Sequence, residues 1–159
     1  MSIDDVVTLV EGLGGVLTLR PGPGDGSPEI AWGDVFLYVA PDGVLPRTQP
    51  FATVVTKRYP DEPPSALDRR GAFRLNVAAS AADVSRWAGG AGGEPDTLAA
   101  HPVYPGWLAV VDPGPRTADV VRELLRAAHA RALARWERDR TRRAQSGHLP
   151  PRGERSSDM

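Results

Sequence analysis

The chain of 159 residues contains no cysteine and a single lysine, Lys57. Without thiols there is no disulfide framework, no thiolate nucleophile and no cysteine-based zinc site. No stretch approaches the run of about 18 apolar residues that a membrane span requires. The opening MSIDDVVTLVEGLGG is acidic and amphipathic, and it lacks the basic region and long apolar core of a signal peptide. The cytoplasm is therefore the expected location, and no membrane partner is expected. A net charge of −1 supplies no global field that would gather nucleic acid or an anionic surface. Also missing are the G-x-S-x-G elbow, the P-loop, the H-E-x-x-H pair and the Rossmann glycine pattern. His101, His129 and His148 have no metal-ligand spacing, so neither a metal nor a cofactor is expected.

What is present reads as one loop-rich globular domain. Hydrophobic content of 41% and charge of 25% suffice for an ordinary core, while Gly 17 and Pro 16 point to many turns. Every basic residue other than Lys57 is an arginine, a bias that GC-rich coding explains more simply than function does.

Ser2 with Asp5 three residues on makes a capping box, and Val6, Val7, Val10 and Leu13 recur at helical spacing until Gly12, Gly14 and Gly15 end the run. Residues 16–19 read as a strand, and PGPGDGSP at 21–28 reads as turns. Further strands are expected at 29–32, 35–40, 51–59, 72–78 and 107–112. Ser80 caps a short helix to about residue 88, GGAGG at 89–93 is a joint, and residues 98–107 are irregular around Pro102 and Pro105. A long helix starts at Thr117, with Val121, Leu124, Leu125, Ala128 and Ala132 as its apolar stripe. It should leave the body near 132–136 as an arginine-rich arm. The expected fold is a single α+β domain over residues 1–140. It has an antiparallel sheet of about four to five strands, with the N-terminal and C-terminal helices packed on it. Residues 141–159 are expected to form a tail without fixed structure.

Polar residues inside this frame are the candidate site. Regular alternation over 51–59 puts Phe51, Thr53, Val55, Lys57 and Tyr59 on one face. Set beside Arg74 and Asn76 of the 72–78 strand, Thr53 and Lys57 would form a basic patch able to hold a carboxylate or phosphate. The plainer alternative is that Lys57 is a solvated strand end, its stem lying over Tyr59. Loop candidates are Asp34 beside Trp32, then Asp68 and Arg69, and the cluster of His101, Tyr104 and Trp107. Asp34 or Asp68 with His101 would be an acid–base pair if folding joined them. The arm offers Arg131, Arg135, Arg138, Arg142 and Arg143 for phosphates and Trp136 for stacking. A solvated helix end, with Asp139 and Glu137 pairing locally to arginines, accounts for the same residues.

Taken together, PEIAWGD, DG-x-x-P, QPFATVVTKRYP, LDRRGAFRLNV and HPVYPGW resemble a bacterial domain-of-unknown-function family of the DUF6194 type over about residues 3–135. More distantly, the layout is similar to the MmcQ/YjbR-like proteins, whose α+β fold has been likened to DNA-binding modules. The resemblance implies a fold and places Trp32, Asp34, Lys57, Tyr59, Asp68, Arg69, Arg74, Asn76, His101 and Trp107 inside family-like strings. No catalytic role comes with them. The expected function is a non-enzymatic domain that binds a small anionic ligand or a protein partner. The alternatives are nucleic-acid association through the arm, or an enzyme with a His/Asp site.

Overall fold

The computed structural model describes residues 1–147, and the C-terminal part of the expected tail lies outside them. Helix α1 (Ile3–Glu11) forms as the capping box dictates. The Asp5 amide donates to Ser2 Oγ at 3.1 Å and the Ser2 amide donates to Asp5 Oδ2 at 2.8 Å, satisfying two of the orphan donors of the helix start. Strands follow at β1 (Val16–Leu19), β2 (Val35–Val39), β3 (Ala52–Val55) and β4 (Arg74–Ala78). Next come α2 (Ala81–Trp87), β5 (Ala99–Ala100), β6 (Trp107–Val111) and α3 (Ala118–Ser146). The six strands form one antiparallel sheet in the order β1-β2-β3-β4-β6-β5, one strand more than the upper expectation.

Alternation sorts the sheet into two unlike faces. Leu37, Val54, Leu75, Leu108 and Val110 point to the face where α1, α2 and α3 pack, and join Val6, Val10, Val121, Leu124 and Leu125 in one core. The register pairs Val54 with Leu75 and Thr53 with Asn76. The face away from the helices consequently carries Phe36, Tyr38, Thr53, Arg74, Asn76 and Trp107.

Four expectations are corrected. Residues 29–32 are not a strand: Glu29–Ala31 is a 3-10 turn, closed by the Trp32 amide on the Glu29 carbonyl and followed by Gly33 at φ +86°, a reversal that extended residues do not make. Strand β3 stops at Val55 rather than at 59, because the Thr56 amide leaves the ladder and donates to Asp34. Residues 98–107 contain the two-residue β5, paired with β6. The 89–93 segment is also more than a joint, since a Cβ on Gly90 would overlap the Leu98 carbonyl oxygen.

Helix α3 begins after Thr117, but its cap comes from elsewhere in the chain. Asp96 accepts from the amides of Gly114, Arg116 and Thr117 at 2.8–3.0 Å and from the Thr117 hydroxyl at 2.6 Å. Burial alone would raise the Asp96 carboxyl, yet these donors hold it below its ordinary range. Further along, His129 Nε2 donates to the Gly14 carbonyl at 2.8 Å and its ring meets Phe51 edge-on, fastening α3 to the turn after α1. Ala132, Leu133 and Trp136 still touch the core, after which the helix is mostly solvated.

Replacing Asp96 with Ala removes four accepted bonds and leaves a side chain poorly suited to the positive φ of 49° at this site. Asp96→Ala should lower the unfolding free energy by about 2 kcal/mol, and Asp96→Asn by less than half of that. Urea denaturation checks both.

Candidate functional site

Asp34 opens β2 directly after the Gly33 reversal, and its carboxylate is buried at 1% exposure. Oδ1 accepts from the Thr56 amide at 2.9 Å and the Thr56 hydroxyl at 3.0 Å, and Oδ2 accepts from the Tyr59 hydroxyl at 2.8 Å. Lys57 Nζ lies 3.5 Å from Oδ1 and donates to the Trp32 carbonyl at 2.8 Å. Lys57 thus sits outside the basic patch that alternation suggested, because the strand has already ended. It is the partly exposed counter-ion of a buried carboxylate.

Arg74 lies at the centre of the face away from the helices, 5% exposed, among apolar strand residues. Its Nη1 and Nη2 donate to Glu62 Oε2 and Oε1, both at 2.8 Å, and its Nε donates to Asn76 Oδ1 at 2.8 Å. Asn76 Nδ2 in turn donates to Thr53 Oγ1 at 3.0 Å. Burial works to raise the Glu62 carboxyl, but the bond to Arg74, the Arg74 charge and the Tyr59 amide outweigh it and hold Glu62 ionised. The guanidinium fork is therefore occupied end-on by a carboxylate of the chain itself, and the two charges cancel. Glu62 was invisible as a site residue because it lies in the proline-rich loop between β3 and β4. The available signal was Arg74 itself, since an arginine in an apolar strand demands a counter-ion.

A cleft of about 550 Å³ opens above this polar row. Phe36, Tyr38, Tyr59, Tyr104 and Trp107 wall it, and His101 borders it with Nε2 at 3.4 Å from Arg74 Nη2. Burial first, and then the Arg74 charge, push the His101 imidazole down to about 4, so it is neutral at physiological pH. Tyr59 joins the two polar clusters: its hydroxyl binds Asp34 and its amide donates to Glu62 Oε2 at 3.4 Å. Burial and the Asp34 bond push Tyr59 well up, which keeps its proton on and donating.

The other expected residues do different work. Asp68 accepts from Arg58 Nε at 2.9 Å and from the Ser65 amide, and Arg69 pairs with Asp112 at 2.9 Å. Trp32 Nε1 donates to the Ser27 carbonyl. His101 has as partners Arg74 and the amides of Val103 and Tyr104, and neither Asp34 nor Asp68 is among them. Arg131 donates to the Ala78 carbonyl at 2.9 Å, Arg142 lies 3.7 Å from Asp139, and Arg140 stacks over Trp136 at 5.6 Å. Arg135, Trp136 and Arg143 line a groove of about 810 Å³ between α3 and residues 41–49, and Arg138 is exposed. Among the described residues no acidic or histidine cluster suits a metal ion, and no helix is long and apolar enough to cross a membrane.

Two measurements check this electrostatic description. Glu62→Gln leaves Arg74 buried without its counter-charge and should cost about 3 kcal/mol in urea denaturation, whereas Glu62→Met with Arg74→Met should recover most of that loss. The second concerns His101, which is held neutral in the fold down to about pH 4 while an unfolded imidazole protonates near 6.5. Between those values the unfolded chain binds more protons, so stability falls as pH drops from about 6.5 towards 5. His101→Asn should flatten the pH dependence of the urea midpoint over that interval.

No curated protein and no solved structure matches the chain. A protein-family model does, over residues 1–142, which takes in α1, the whole sheet, the cleft and α3 as far as Arg142. On that match the chain belongs to DUF6194, a family of unknown function.

Proposed function

We propose that this protein is a non-enzymatic cytoplasmic binding domain that receives a small planar molecule in the cleft on the sheet face away from the helices. One observation carries the reading: a hydrogen-bonded row of Thr53 with the buried Asn76, Arg74 and Glu62 forms the floor of a cleft walled by aromatic side chains. Burying an ion pair is no efficient route to stability, since well-packed apolar residues of similar volume do as well or better. Its volume and its mix of aromatic walls with a few fixed polar groups are those of small-molecule sites. The charge balance favours a polar, weakly charged ligand over the strongly anionic one suggested by a free Arg74. A protein partner inserting an aromatic side chain would use the same walls.

Nucleic-acid association through α3 has less support. Arg131 is engaged by the Ala78 carbonyl, Arg142 by Asp139, and Arg140 lies on Trp136. Among the described residues of α3 that leaves Arg126, Arg135, Arg138 and Arg143 for phosphates, few contacts for a chain with no net positive charge.

An amide-resolved NMR titration tests the primary reading with indole, aniline, benzamide and benzoate at millimolar concentration. Shifts should concentrate at Asn76, Val103, Tyr104 and Trp107. Tyr104→Ala removes a wall that is 61% exposed and so spares the core. It should weaken binding about 5-fold, the worth of one aromatic contact. Shifts scattered over the surface, or none, would overturn the reading.

A further inference from the structure

The ring orientation of His101 is fixed by its own loop. The His101 amide donates to the Trp107 carbonyl at 2.9 Å, closing residues 102–106 into a tight excursion. The amides of Val103 and Tyr104 both point back at His101 Nδ1, at 3.1 and 2.9 Å. An amide only donates, so Nδ1 must present its lone pair to them. A neutral imidazole carries one N–H, and with Nδ1 accepting, that hydrogen resides on Nε2.

Nε2–H faces the sheet, where it meets Arg74 Nη2 at 3.4 Å. A guanidinium has no acceptor to offer. One Nη2 hydrogen is committed to Glu62 Oε1, and among the described residues no carboxylate, amide or hydroxyl oxygen takes the other. Two N–H donors therefore converge, and neither can satisfy the other. Among the described residues, each nearby acceptor already holds at least one donor, and none is bonded to His101 Nε2. Both Glu62 oxygens take Arg74, Asn76 Oδ1 takes Arg74 Nε, and Thr53 Oγ1 takes Asn76 Nδ2. Donors 3.4 Å apart can both approach a single oxygen set beside them in the cleft at about 2.9 Å, each through a bent hydrogen bond.

Building on the binding reading above, we propose that the cleft recognises its ligand by an sp2 oxygen, held between His101 Nε2–H and Arg74 Nη2–H. The molecule is a planar ring bearing a carbonyl or a carboxylate, with the ring against Tyr104 and Trp107. Because Glu62 already offsets Arg74, both oxygen types fit, and the preference between them measures how complete that offset is. The donor pair is a positioning element for a bound molecule and implies no bond-making step.

The test compares, on the full chain, probes that carry an sp2 oxygen (benzamide and benzoate) with one of similar shape that offers only a donor (aniline). Wild-type protein should bind at least one oxygen-bearing probe about 10-fold more tightly than aniline, the worth of a charge-assisted bond. Benzoate ahead of benzamide would assign a carboxylate, and parity a carbonyl. His101→Asn keeps an acceptor for the Val103 and Tyr104 amides but lacks the Nε2 donor. It should lower the affinity for the oxygen-bearing probes about 10-fold and so erase their preference over aniline. Long-range nitrogen–proton NMR on the unsubstituted protein should show Nε2 as the protonated nitrogen of His101, a readout independent of any variant's folding. Equal affinity for all probes, or a protonated Nδ1, overturns the donor-pair proposal and leaves the binding reading standing. Failure of every probe to reach the cleft overturns both.

Discussion

The ion pair between Arg74 and Glu62 is the constraint around which the open face of the sheet is organised. A guanidinium at 5% exposure is tolerable only when its charge is matched and its donors are engaged. Glu62 meets the first demand, and with Asn76 it meets most of the second. To reach Arg74, Glu62 draws the proline-rich loop down over the sheet. The same loop carries Tyr59, which joins this cluster to the carboxylate of Asp34. Asp34 in turn sets where β3 ends and where Lys57 lies. One buried charge thus shapes a loop, a strand terminus and an aromatic wall.

The two sheet faces divide the labour between stability and recognition. Apolar side chains under α1, α2 and α3 form the core, where any loss of volume would be felt as a cavity. On the other face the same strands carry Arg74, Asn76, Thr53 and Trp107, whose packing leaves a cleft. Because alternation separates the sets residue by residue, the binding face can change without repacking the core. Family membership over residues 1–142 fits this division, since the match includes the sheet and helices that hold both faces in place.

What could be read in the sequence was what is local. The Ser2 and Asp5 capping box, the Ser80 cap and the valine and leucine stripes of α1 and α3 all act within one or two helical turns, so their spacing declares them. The faces of β3 and β4 followed from alternation between Ala52 and Val55, whereas Phe51, expected beside Thr53, packs against His129 on the helix side. The interactions that decide the site span long stretches of chain: Glu62 to Arg74, Asp34 to Thr56 and Tyr59, Asp96 to Thr117. Thr56 and Lys57 look like strand residues, and only a carboxylate 22 residues earlier explains why the ladder stops before them. Asp96 sits at the far end of a glycine-rich segment, and nothing nearby marks it as the cap of α3. Lys57 stood out through rarity, yet its role followed from Asp34, a residue of ordinary kind.

The sheet's borders have a further consequence. One edge is β1, four residues long and followed by Arg20 and Pro21, and the other is β5, two residues long and followed by Pro102. A strand from a neighbouring molecule would find very little free ladder on either side, and proline offers no amide to extend it. The protein can therefore keep a wide antiparallel sheet, with one face uncovered, without inviting its copies to zip together along their edges.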